Sequence, residues 1–106
     1  MMFDRITRSI EIAGMLGVKI IVVHPMHHLP YDENAAALKA MNMDFYRSLV
    51  PYAKAAGVKI ALENMWQRAA DKKTLVPSAC SRTREFADWL DTLADDTFTA
   101  CLDLGH

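Results

Sequence analysis

The sequence predicts an α/β protein whose sheet is parallel, and three observations carry that prediction. Apolar runs rich in β-branched residues alternate with amphipathic helical stretches in the order helix, strand, helix, strand, helix, strand. The tetrapeptide Gly-Val-Lys-Ile occurs at residues 17–20 and again at 57–60, each time after an alanine-bearing helix end. Every predicted strand then runs into polar residues: His24, the pair Glu63-Asn64, and Asp103 followed by His106. A repeat of about 40 residues is what one strand–loop–helix unit of a (β/α)8 barrel occupies when its loop is long, so the chain reads as a three-unit segment of such a barrel.

The first helix is predicted over residues 4–16, where Ile6, Ile10, Ala13 and Leu16 recur at three and four with Arg5, Arg8 and Glu11 between them. Gly17 suits the position just past its end, because glycine takes positive φ without steric cost. Residues 18–23 (Val-Lys-Ile-Ile-Val-Val) read as a buried strand leading to His24-Pro25. Residues 26–31 form a loop, and Asp32 or Asn34 is expected to cap the next helix. Leu38, Met41, Phe45, Leu49, Tyr52 and Ala56 mark one face of that helix, with Pro51 inside it expected to kink or divide it.

Gly57 closes the second helix and opens the central stretch, Val58-Lys59-Ile60-Ala61-Leu62-Glu63-Asn64. Residues 65–81 are polar and irregular, with Arg68, Asp71, Lys72 and Lys73 clustered, and read as a long βα loop. Ser81 or Thr83 is expected to cap a third helix whose apolar face is Phe86, Leu90 and Leu93, with Ala87 and Trp89 at its margins. Residues 98–102 make the third strand, and Cys101 is expected in the layer between helix and sheet.

Composition narrows the function classes. With 106 residues, 52% hydrophobic and 24% charged, the chain is that of one folded domain. The formal net charge is −1 and no basic stripe is present, which argues against nucleic-acid binding. Cys80 and Cys101 have neither metal-site spacing nor a disulfide framework, so a cytoplasmic location is expected. No apolar run approaches the roughly 20 residues of a membrane span.

Ligands of parallel α/β proteins bind beyond the carboxyl ends of the strands, where side chains and loops converge. His, Glu and Asp are also residues that bind divalent metals. Glu63 at the end of a buried run needs a partner: a metal ion, a cation from a neighbouring strand, or a substrate hydroxyl. Asp103 serves either as a ligand or as the cap of a following turn, and His24 either as a site residue or as a core histidine. His27 and His28 read as solvated loop residues. Trp66, three residues beyond Glu63, forms either an apolar wall over a substrate or part of the packing.

The segments "VVHP", "IALEN" and "CLDLGH", in this order and with these intervals, resemble the xylose-isomerase-like barrel superfamily. That superfamily contains sugar-phosphate isomerases and epimerases, ketose 3-epimerases and endonuclease IV-type apurinic-site nucleases. The resemblance implies that Glu63 and Asp103 ligate one divalent metal (Mn²⁺, Mg²⁺, Co²⁺ or Zn²⁺), with Glu63 also an acid–base catalyst. It implies substrate contacts from His106 and His24, with Asn64 beside them helping to orient the site, and a small-molecule sugar or sugar phosphate as substrate. A complete barrel of this kind has eight strands and about 250 residues. Residues 1–106 therefore read as a single partial barrel domain, truncated at its C-terminus and at its N-terminus as well.

The resulting expectation is part of a metal-dependent sugar isomerase or epimerase that works by enediolate-type proton transfer. Two alternatives stand beside it: a zinc-dependent apurinic-site nuclease, and a catalytically inactive folding unit. The open edges of a three-stranded sheet further suggest self-association.

Overall fold

The two Gly-Val-Lys-Ile copies are two copies of one helix stop. In the computed structural model, which describes residues 2–26, 29–68, 71 and 73–104, helix α1 (Met2–Met15) is followed by Gly17 at φ 76°. The Gly17 N–H donates to Gly14 O (3.2 Å) and the Val18 N–H to Ala13 O (2.9 Å). Helix α2 (Tyr31–Ala56) ends the same way, with Gly57 at φ 70° bonding Lys54 O at 3.3 Å and Val58 bonding Ala53 O at 3.0 Å. This paired arrangement satisfies two terminal carbonyls and turns the chain sharply back. Each turn feeds a strand: β1 (Ile20–Val22) and β2 (Lys59–Glu63).

Strands β1, β2 and β5 (Phe98–Cys101) form a parallel sheet in the order β1-β2-β5. Val22 pairs with Ala61, and Glu63 pairs with Cys101. All connections run from one strand end, over a helix, to the start of the next strand. The carboxyl ends of β1, β2 and β5 therefore share one edge of the sheet.

One face of the sheet carries the core. Ile60, Leu62 and Phe98 pack with Ile10, Tyr46, Leu49, Phe86 and Trp89 from the helices. Gly14 lets α1 and α2 cross closely, since a Cβ there would lie 2.8 Å from Ala56 O. On the other face Ile20 and Val22 are 52% and 47% exposed, so β1 is covered on one side only rather than buried on both. Among the described residues, no helix is long and apolar enough to cross a membrane.

Several local expectations are corrected. Pro51 neither breaks nor divides α2; the backbone departs from helical values at Asn34 (φ −129°, ψ 17°) instead. Tyr46, Leu49 and Ala53 are fully buried around the proline, and their packing outweighs one lost intrahelical bond. The helix also begins earlier than expected, after Pro30, with no side-chain cap, and Asn34 Nδ2 donates to Pro30 O at 2.8 Å. The third helix, α3 (Thr83–Leu93), follows Arg82 and likewise has no side-chain cap. Trp89 is central to its buried face rather than marginal, while Ala87 is exposed.

The connection after β2 is not wholly irregular. It contains an antiparallel hairpin, β3 (Trp66–Arg68) against β4 (Leu75–Pro77), with Gln67 opposite Val76. Asp71 shapes its turn, accepting bonds from the Lys73 and Thr74 N–H groups at 2.8 and 2.9 Å. Those bonds hold the Asp71 carboxyl below the usual carboxylate range.

Candidate active site at the strand ends

The β1–β2 register continues past the last formal pair, because the Val23 N–H donates to Ala61 O at 3.0 Å. One residue later His24 meets Glu63: its Nε2 lies 2.5 Å from Glu63 Oε2. Glu63 is only 7% exposed, whereas the His24 side chain is 58% exposed. A carboxylate so removed from water requires a polar partner, and the imidazole supplies one from the solvent side.

His24 is fixed by the residues on either side of it. The Tyr46 hydroxyl donates to Val23 O at 2.6 Å. Asn42 Oδ1 accepts from the Met26 N–H at 2.7 Å, and its Nδ2 donates to Met26 O at 2.9 Å and Leu38 O at 2.8 Å. Both side chains are fully buried and lie four residues apart on α2. Burial foremost, and the neighbouring Cys80 second, push the Tyr46 hydroxyl well above its ordinary pKa, so it remains a donor across the working pH range.

Asn64 ties β2 to the chain beyond β5. Its Nδ2 donates to Asp103 O at 3.1 Å, and its Oδ1 accepts from the Asp103 N–H at 2.7 Å. The side-chain amide thus mimics one more rung of the ladder after the strands end. Asp103, two residues past Cys101, is held at the same edge as Glu63. Asn64→Ala is expected to raise hydrogen exchange at the Asp103 amide by at least about tenfold and to cost about 1–3 kcal/mol. Unchanged exchange there would show the two bonds to be incidental.

The β2–β5 pairing also corrects the expectation for Cys101. It stands beside Glu63 and is half-buried, away from the helix-covered core, while Cys80 is the fully buried thiol. Desolvation pushes Cys80 up to about 12.

The hairpin is docked beside this edge by Gln67. Its Oε1 accepts from the Tyr31 N–H at 2.8 Å and its Nε2 donates to Leu29 O at 3.2 Å, joining the hairpin to the β1–α2 loop. Trp66, expected near the substrate, is half-buried on β3 and lines a separate open cavity of about 310 Å³. At the far side of the hairpin, the Cys80 N–H bonds Glu85 Oε1 at 2.6 Å, with Cys80 at φ 61°.

Asn42, Tyr46 and Gln67 were not marked as site residues by the sequence. Asn42 had a readable signal: it is an amide within the apolar stripe of a helix, where a core position would otherwise be aliphatic.

His106, His27, His28 and the Asp32 side chain lie outside the described residues. Among the described residues no group of three His, Cys, Asp or Glu side chains could hold a metal ion. The pair in contact, a carboxylate oxygen and an imidazole nitrogen, is nevertheless a donor set of the kind divalent ions take. Asp103, two residues past the end of the adjacent strand, is a further donor type at the same edge.

Comparisons with known proteins agree with this architecture. A crystal structure titled as that of a D-tagatose 3-epimerase-like protein superposes with a TM-score of 0.77 at 22% identity. The alignment covers 98% of this chain and 37% of that one, so this chain spans well under half of its length. At this identity the likeness concerns the fold. Comparison with curated proteins gives no match. The family model described as xylose isomerase-like TIM barrel matches residues 2–106, and the chain belongs to that family.

Proposed function

We propose that the protein is a sugar isomerase or epimerase whose proton transfer is carried out by Glu63. The observation that supports this most is the contact between His24 Nε2 and the nearly buried Glu63 carboxylate, at the edge where the parallel strands end. In this reading the substrate is an open-chain ketose or aldose. Glu63 removes the proton from the carbon beside the carbonyl, and the electron pair passes into an enediolate. Return of a proton to the neighbouring carbon isomerises the sugar, and return to the opposite face of the same carbon epimerises it.

His24 holds Oε2 and so fixes the plane of the carboxylate, and Tyr46 and Asn42 fix His24. A base must sit within hydrogen-bond reach of the proton it takes, which makes such positioning worth as much as the group itself. Of the described side chains, His24 and Glu63 are the pair in contact that would offer donors to a divalent metal, and no third His, Cys, Asp or Glu among the described residues joins them. A bound ion would supply Lewis-acid stabilisation of the carbonyl oxygen. Asn64 keeps Asp103 at the site.

The test is solvent-deuterium incorporation beside the carbonyl of a panel of ketoses, aldoses and their phosphates. Label that enters a substrate with the unmodified protein, and fails to enter with Glu63→Gln, supports the reading. Equal incorporation by both proteins removes Glu63 from the mechanism.

A further inference from the structure

Neither His24 nor Glu63 lines the cavity beside the hairpin, but the chain runs from Glu63 into one of its walls. Met65, Trp66, Val76, Pro77, Ser81 and Arg82 are among its walls. Met65 is two residues past Glu63, and two residues of extended chain span about 7 Å. The open chain of a pentose or hexose bridges that interval.

Three independent features give this cavity a preference. The Arg82 side chain is exposed and makes no hydrogen bond or ion pair among the described residues, so its guanidinium is available to a ligand. The Ser81 hydroxyl oxygen is shut off from solvent and has no hydrogen-bond partner among the described residues. A hydroxyl in that state gains from any acceptor that arrives within the swing of its χ1 angle. Arg82 is also the residue from which α3 starts, and no side chain caps that helix. The unbonded N–H groups of the first turn add partial positive charge at this end. Glu85 opposes it in the same turn, but its carboxylate is engaged with the Cys80 N–H. The remaining wall, the half-buried Trp66 with Val76 and Pro77, is apolar and suits the carbon face of a sugar.

We propose that this cavity receives the phosphate end of a sugar phosphate, with Arg82 and Ser81 as its ligands and Trp66 packed against the carbon chain. The inference rests on the reading that Glu63 acts on a sugar, and it narrows that sugar to a phosphorylated one. Arg82 would take two phosphate oxygens through its planar fork, and Ser81 would donate to the third.

Titration with inorganic phosphate, followed by ¹H–¹⁵N NMR, tests the site without any turnover. The expected result is a saturable shift of the Trp66 indole and of the Ser81 and Arg82 amides. The indole of the buried Trp89 should stay still and serve as the internal control. Arg82→Gln should weaken binding by about tenfold or more, while Arg84→Gln, two residues along and exposed, should not. An unmoved Trp66 indole, equal binding by Arg82→Gln, or an equal response to acetate overturns the proposal. Turnover separates the two readings. Neutral sugars processed as well as their phosphates would sink the phosphate site and leave the isomerase reading standing. Saturable phosphate binding with no label incorporated into any sugar would leave the site standing and sink the reaction.

Discussion

Glu63→Gln is expected to lower kcat for deuterium exchange and for sugar interconversion by about 10³-fold, the scale of losing a positioned general base. The amide keeps the shape of the side chain and can still bond His24, so folding should survive. Substrate KM should change little, because the lost step is proton removal rather than uniform binding. The check is steady-state kinetics together with a thermal melt of both proteins. A kcat within tenfold of the unmodified protein, with the fold intact, would mean that another group takes the proton.

Trp89→Ala carries the largest expected cost in stability. Trp89 is 1% exposed and packs in the core between α3 and the sheet. Truncating a buried tryptophan leaves both lost transfer energy and a cavity, about 3–5 kcal/mol together. A domain of this length has a total stability of about 5–15 kcal/mol, so the substitution removes a large part of it. Urea unfolding should show a lower midpoint at unchanged slope. A loss under about 1 kcal/mol would show that α3 packs differently from the arrangement described.

These two residues also mark how far the sequence could be read. Glu63 was visible because β2 is a continuous apolar run and then stops at an acid. The charge stands out against a pattern set by burial on both faces of a central strand. The helix stops were visible because Gly17 and Gly57 are needed at positive φ, a local requirement that a local sequence must meet.

Trp89 was misplaced for the opposite reason. Helical spacing put Leu90 in the stripe as readily as Trp89, and only contact with the sheet decides between neighbouring positions on α3. The hairpin escaped because each of its strands has three residues and one ends in Pro77, too short for a period. The division expected at Pro51 failed because propensity yields to burial of the opposite helix face. The links from Tyr46 to Val23 and from Asn42 to Met26 span 23 and 16 residues. No sequence window joins them, although Asn42 itself announces a polar core position.

The central claim is that His24, Glu63 and Asp103 share one edge of the sheet and serve one site. Paramagnetic relaxation with Mn²⁺ measures this most directly. Added at substoichiometric amounts, the ion should broaden the His24 imidazole and the Glu63 and Asp103 amides together, leave α1 sharp, and lose the effect in Glu63→Gln. Broadening that centres elsewhere, or that survives unchanged in Glu63→Gln, would contradict the account.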